Sequence, residues 1–473
     1  MSTLPFPLFL PAVLLLLALL AYLFRRMEQV TSAVSGLVVG GLAFWLLGDL
    51  PTDGLVRLLG TPVQVDMRAV VMRYDLLFHL MPSAAPILAL TLFLTATALL
   101  LNASAGQGRS FTPFALLLAC GYALLLLLAD APISPELLLP GFLALLAALG
   151  VYMLQAGQLG QTHGPLRSLL PPLLAFPLFI LASWHIDSLA LNPQDSLAGA
   201  AAARFLALGL LLLLAPVPFH SAGPAIAENA PPIAVALLSL LYQLAALTLL
   251  FHITTLYPFV AELSGQNLWL TAAGLITAVW GGLAAVGCSH PGRLWSYAML
   301  HDWGLILLML AVPGESSWSL VLFLFALRII SVLAAAAGLA FLRDATGSLN
   351  PTPLRGAGRS APWSTSAYVL GGLGLAGFPL SAGFTGHWAA LQTVAANDWR
   401  VAAVVLLASG GVVVGFVRMI RILYDPQTPP SIPNERRHRG VIAITAILIV
   451  SGVAIAPQLL NGPIAWALMA FRG

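Results

Sequence analysis

Four side chains that ordinarily avoid lipid stand inside apolar stretches of this 473-residue chain: His301 and Asp302 in SYAMLHDWG, Arg328 in LFALRIIS, and His387 in GFTGHW. A charge at membrane depth is costly and usually faces a cavity or a partner. Arg328 and Asp302 therefore read as a pair that either neutralises itself to hold two helices together or serves an ion path. Histidine titrates near neutrality without much tuning, so His301 and His387 could carry protons. The chain has no lysine, and all 20 of its basic residues are arginine. Arginine is effectively always protonated, which makes Arg328 a fixed charge and not a carrier. His220 and Tyr242 could line the same hydrated path or satisfy freed backbone. Cys120 and Cys288 lie far apart in apolar segments and read as buried free thiols. The sequence carries no cysteine cluster, glycine-rich nucleotide loop or metal spacing. No cofactor is expected in this chain, no metal site, and no catalytic residue of its own.

The elements that must position these groups are membrane helices. Hydrophobic residues make up 60% of the chain and charged residues 8%, with a mean hydropathy of +0.96. No soluble fold of this length has that composition. A span needs about 20 mostly apolar residues. Runs between polar breaks predict about fourteen, near 5–24, 31–49, 76–102, 110–129, 135–156, 167–186, 200–221, 232–256, 267–288, 294–313, 318–342, 365–395, 399–420 and 441–457. Arg25 and Arg26 follow the first run with no small-residue cleavage pattern, so it reads as a retained helix. Residues 50–75 alternate arginines and aspartates with short apolar pieces, as in an extramembrane hairpin or surface helix. Residues 458–473 are too short and too broken to span.

Arginines cluster after odd-numbered spans: Arg25, Arg26, Arg109, Arg167, Arg293, Arg343, Arg355, Arg359, Arg421, Arg436, Arg437 and Arg439. By the positive-inside rule those connections face the cytoplasm and both termini face outward. The net charge of +3 comes from these anchors and says nothing about nucleic acid, which is not an expected partner.

Two spans are interrupted alike, at APVPFHSAGP (215–224) and GLAGFPLSAGFTGH (374–387). Proline and glycine free backbone groups that membrane depth tolerates only where protein or water satisfies them. Matching breaks about 160 residues apart predict two inverted five-helix units around an ion path. The expected division is 1–108 for spans one to three with the extramembrane segment, 109–256 and 267–424 for the two units, and 425–473 for a cytoplasmic loop, the last span and a tail.

Three segments carry a family resemblance. PVPFHSAGPAIAENAPPIAVALLSL (216–240), HPGRLWSYAMLHDWG (290–304) and GLAGFPLSAGFTGHW (374–388) resemble, in order and spacing, motifs of the antiporter-like membrane subunits of respiratory complex I. That family includes Mrp-type sodium/proton antiporter subunits, membrane-bound hydrogenase subunits and the membrane partner of an inorganic-carbon uptake system. Length and span count are most similar to the smallest complex I antiporter-like subunit. The resemblance implies a relay of buried bases, with a glutamate on span five paired to a lysine on span seven.

Carried over by position, the glutamate matches Glu136, which also reads as a helix cap or interface carboxylate. The span-seven lysine falls on Leu213, and Arg204, nine residues away or about 13.5 Å at helical rise, is too distant to replace it. The span-eight base falls near Ser239 or Gln243. The span-eleven lysine corresponds to Arg328 and the span-twelve lysine to His387. Glu228 keeps its place before Asn229, and His301-Asp302 keeps polar groups where the family has them.

The resulting expectation is a non-catalytic transport subunit of a multi-subunit complex in the bacterial inner membrane. It would take part in proton translocation with an altered, lysine-free relay of Glu136, His387, Arg328, His301 and Asp302. Its partners are other membrane subunits, the lipid bilayer, and protons or sodium ions. Two alternatives stand beside it: a non-pumping scaffold, and the proton channel of an inorganic-carbon uptake complex.

Overall fold

A computed structural model of the chain describes residues 3–48, 54–57, 64–73, 76–130, 143, 145–151, 154, 163–192, 194–312, 315–426 and 434–471. Glu136 lies outside the described residues. The architecture is all-helical, and ten of the described helical segments are long and apolar enough to cross a membrane.

The principal helices are α1 Phe6–Leu23, α2 Glu28–Leu47, α3 Ala85–Ser104, α4 Phe111–Leu127, α5 Leu170–Leu191, α6 Ser196–Leu214, α7 Ala222–Asn229 and α8 Pro232–Leu256. There follow α9 Gln266–Gly287, α10 Pro291–Leu310, α11 Glu315–Thr346, α12 Pro362–Gly374, α13 Phe384–Asn397, α14 Trp399–Leu423 and α15 Arg437–Ile455. Their sequences are apolar on nearly every face, as segments buried in protein on one side and lipid on the other must be. Local chemistry sets their starts. The Asp195 carboxylate accepts from the backbone N–H groups of Leu197 and Ala198, both at 3.1 Å, and so caps α6. Asp398 does the same for α14 through Arg400 N–H at 2.9 Å. Proline occupies the first turn of α8, α10 and α12, where its missing N–H costs nothing.

One boundary needs correction. Of the two readings of the segment at 50–75, a hairpin or a surface helix, its described residues take the first and form short strands. Leu55–Arg57 pairs with Gln64–Asp66 and Val71–Arg73 with Leu76–Phe78, both antiparallel. The third span therefore begins at Ala85 and not near 76, because Leu76–Phe78 is used in that pairing.

Both Pro/Gly segments break their helices. After α6 the chain turns at Ala215, which has φ 45, and passes a 3₁₀ turn at Phe219–Ser221 before α7. After α12 it passes Gly377 at φ +65 and Leu380 at φ 67 before α13. The backbone freed at the first break is satisfied from α9 and α10: Val217 N–H donates to Thr277 Oγ1 at 3.0 Å, and Trp303 Nε1–H donates to the Leu214 carbonyl at 2.8 Å. Helices α9 and α10 pack so closely that a Cβ on Gly281 would meet the backbone of His301 and Tyr297. Small residues permit that approach, and it fixes His301 and Asp302 at the centre of the bundle.

Candidate functional site

The central group is Asp302, on α10 and 3% exposed. Its two carboxylate oxygens serve two different helices. Oδ2 accepts from Arg328 Nη1 on α11 at 2.5 Å, and Oδ1 faces His387 Nε2 on α13 at 2.8 Å. Arg328 and His387 are themselves buried, at 2% and 3% exposure. A carboxylate accepts, so His387 donates from Nε2. Its Nδ1 is buried without a hydrogen-bond partner and lies against the break: a Cβ added at Gly377 would stand 2.5–2.6 Å from His387 Cβ, Cγ and Nδ1. The ring thus joins the carboxylate on one side to the opened backbone on the other.

Arg328 is held on several sides. Besides the ion pair, its Nη1 donates to the Met299 carbonyl at 2.8 Å and its Nε to Gln243 Oε1 at 2.9 Å. The guanidinium carbon also sits 5.6 Å from the centroid of the Trp303 ring, within cation–π range. A planar guanidinium suits such multi-sided fixation better than an ammonium would. Arg328 is therefore held in one place by groups from three sides of its guanidinium.

Gln243 connects this group to the first half of the chain. A cavity of about 190 Å³ is lined by His220, Ser239, Tyr242 and Gln243, and reaches Trp303 and Arg328. The Tyr242 hydroxyl and His220 Nδ1 are buried without hydrogen-bond partners, while His220 Nε2 accepts from Trp280 Nε1–H at 3.0 Å. Ser239 lines the cavity with its hydroxyl bonded back to the Val235 carbonyl at 2.7 Å.

Three sequence candidates are placed differently. His301 adjoins Asp302 in sequence but turns to the other face of α10. There its Nδ1 faces the Ala278 carbonyl and its Nε2 the Ser409 hydroxyl, both at 2.9 Å. Its ring centroid is 6.1 Å from that of His387, so it borders the string of charges without joining it. Glu228 is not among the cavity-lining residues; it stands 4.0 Å from Arg293, with both side chains well exposed. Leu213, at the expected lysine position, is buried at 1% exposure and offers no ionisable group.

Sequence reasoning missed Ser409, Trp303 and the Met299 carbonyl. Serine and a backbone carbonyl give no positional signal in an apolar helix, although Trp303 directly follows Asp302. Among the described residues no group of three or more His, Cys, Asp or Glu side chains could hold a metal. The arrangement sets one imidazole and one guanidinium on the two oxygens of a single buried carboxylate, and through Gln243 it adjoins a mostly apolar cavity with a few polar groups in its wall.

Comparison with known proteins agrees with this architecture. Residues 175–413 match the family model for the NADH:quinone oxidoreductase/Mrp antiporter transmembrane region. A curated relative, NADH-quinone oxidoreductase subunit N of Flavobacterium psychrophilum, is 21% identical over 256 residues, which cover 54% of this chain and 56% of the relative. The chain thus spans about half the length of the curated relatives it matches. Among solved structures, a chain of the membrane-bound sulfane sulfur reductase, an archaeal respiratory membrane complex, superposes with a TM-score of 0.77 at 17% identity, covering 98% of this chain and 97% of that one. A chain of the Mrp complex from Dietzia sp. DQ12-45-1b gives 0.73 at 17% identity, covering 98% of each.

Proposed function

Because the chain belongs to the NADH:quinone oxidoreductase/Mrp antiporter transmembrane family, we propose that it is a proton-translocating membrane subunit of a complex I-like or Mrp-related assembly, working with a lysine-free relay. The carrying observation is the buried string Arg328–Asp302–His387, with one carboxylate oxygen for each basic side chain. When His387 is neutral the string has no net charge. When His387 takes a proton at Nδ1, from water at the Gly377 break, the string becomes singly positive. Asp302 then holds two cations, and its bond to Arg328 weakens by competition. A driving reaction in a neighbouring subunit that shifts Asp302 toward Arg328 would expel the proton from His387. Arg328 stays charged throughout. His301, with its ring centroid 6.1 Å away, is the second imidazole beside His387 and the next group to take the proton.

The same reading carries the finer architecture: fourteen spans, two inverted five-helix units at 109–256 and 267–424, and both termini outside a bacterial inner membrane. The paired breaks and the arginine asymmetry support it. Glu136 belongs to the proposed relay through its match to the family glutamate. Partners are the other membrane subunits, as in the assemblies named by the relatives, and the translocated ion is the proton. Redox or nucleotide cofactors belong to those other subunits.

Leu213 favours a second reading in one respect. A first half without the family lysine is what a non-pumping scaffold would show. His387 variants in the reconstituted assembly separate the two. His387→Ala abolishes or strongly reduces proton pumping while the complex stays intact, and His387→Lys restores part of it. An Ala variant that pumps normally selects the scaffold.

A further inference from the structure

A second cavity, of about 270 Å³, lies between α3, α4 and α8. Its lining residues give its shape. On α8 they include Leu241, Leu244, Thr248, His252 and Thr255, three or four residues apart and so on one face of the helix. Leu241 and Thr255 stand about 21 Å apart along it. On α3 the lining runs from Ser83, just before the helix, to Thr91, and on α4 from Tyr122 to Leu126. Two hydrogen bonds fix which ends meet. His79 N–H, ahead of α3, donates to the Leu127 carbonyl at the end of α4 at 2.9 Å. Ile233 N–H, at the start of α8, donates at 3.1 Å to Gln107 Oε1, just past the end of α3. Ser83, Leu126 and Thr255 therefore share one end of the cavity, and Thr91, Tyr122 and Leu241 lie deeper. The cavity is a slot along α8, narrow for its length.

The chemistry of the wall changes with depth. Deeper in, Thr91 and Thr248 turn their hydroxyls back to their own helices, donating to the Ile87 and Leu244 carbonyls at 2.8 and 2.9 Å. The rest of that wall is almost wholly apolar, and an apolar void of this size stays dry and is costly when unfilled. Ser83, His252 and Thr255 gather toward the other end, where Leu256 is 52% exposed and the slot meets the surroundings of the helix ends. No arginine is among the described lining residues, and the chain has no lysine. A free carboxylate at the mouth would therefore find no cation. The slot instead suits a single apolar chain whose charged head stays outside. One leaflet is about 15 Å deep, a length that the α8 stripe accommodates.

We propose that the slot between α3, α4 and α8 binds one acyl chain of a membrane phospholipid, with its head group beside Ser83 and Thr255 and its methyl end toward Tyr122. Tyr122 also lines the cavity that reaches Gln243 and Arg328, so one side chain separates the lipid from that cavity. The inference goes beyond the relay reading and requires only that the chain spans a bilayer.

The test uses the native assembly reconstituted in vesicles of phosphatidylethanolamine that carries a diazirine on one acyl chain. In one preparation the diazirine is near the methyl end, in another next to the glycerol, and peptide mass spectrometry locates the adducts after illumination. The first probe is expected at Tyr122, Leu241 and Leu244, the second at Ser83, His252 and Thr255. Ala245→Trp, which fills the slot from α8, abolishes the deep adducts and leaves labelling elsewhere on the chain unchanged. Thr248→Val, which keeps the shape, keeps them. If Ala245→Trp does not assemble, the depth order in the native chain decides alone. Absence of adducts at Tyr122 and Leu241, the same positions labelled by both probes, undiminished deep labelling in assembled Ala245→Trp, or deep adducts only from a diazirine-bearing free fatty acid each overturns the proposal. His387→Ala leaves the labelling unchanged, so failure of the relay and failure of this site are told apart.

Discussion

Replacing Arg328 by leucine removes the cation from a carboxylate that has almost no access to solvent. The guanidinium is paired with Asp302 at 2.5 Å and donates to Gln243 at 2.9 Å and Met299 at 2.8 Å. Breaking a buried ion pair from one side costs about 3–5 kcal/mol, and each acceptor left stranded adds about 1 kcal/mol. Leucine recovers about 1–2 kcal/mol of apolar burial. The net expected loss is about 3–5 kcal/mol, and Asp302→Leu, which strands the cation instead, should cost a similar amount. The double variant leaves neither charge behind. Buried pairs exchanged for apolar groups are often close to neutral, so Arg328→Leu with Asp302→Leu should lose only about 3 kcal/mol, about 1 kcal/mol each for the His387 Nε2–H, the Gln243 Oε1 and the Met299 carbonyl left unpaired. Unfolding in mixed micelles by SDS titration, followed by tryptophan fluorescence, measures all three. Costs that simply add, with a coupling energy under about 1 kcal/mol, would refute the claim that Arg328 and Asp302 form one electrostatic unit.

Three further outcomes are expected. Gly377→Ala forces a side chain onto a φ of +65 and into contact with the His387 ring, so it should destabilise the protein by about 2–4 kcal/mol in the same titration and depress transport by displacing Nδ1. Trp303→Phe keeps the aromatic packing but strands the Leu214 carbonyl at the first break; a loss of about 1–3 kcal/mol is expected, and an unchanged unfolding midpoint would contradict that role. His290 caps α10 in the turn outside the spans by accepting from Arg293 N–H, and burial pushes its pKa below the usual value. Its folded pKa is the lower one, so the unfolded chain binds the proton first, and stability should fall as pH drops through about 6.5 and below. His290→Asn, a cap that does not titrate, should remove that slope.

Most of the helical framework was legible because membrane spans announce themselves by length and apolarity. Pro232–Leu256 begins and ends where the run of apolar residues does. Arg328, Asp302 and His387 were legible for the same reason, since charges stand out in lipid-soluble sequence. Their connection was not. Nothing in the sequence tells that His301 turns away to Ala278 and Ser409 while its neighbour Asp302 faces two other helices. That outcome depends on helix rotation, which the all-round apolar α10 does not encode as a polar stripe. Gln243 was a candidate only by position, and its bond to Arg328 across 85 residues is a tertiary fact. The strands at 55–78 were legible only as one of two readings, because short alternating pieces rich in Arg and Asp suit a surface helix as well as a hairpin.

The central claim is that His387 itself takes up and gives back the transported proton, and infrared difference spectroscopy on the reconstituted assembly tests it most directly. Spectra taken with the driving reaction on and off, using ring-¹⁵N-labelled histidine, identify any imidazole that changes protonation by its isotope-shifted ring modes. The account predicts one such signal, lost in His387→Ala and altered when Asp302→Asn removes the carboxylate that its Nε2 faces at 2.8 Å. A spectrum with no histidine change during turnover, or one that persists undiminished in His387→Ala while pumping continues, would contradict it.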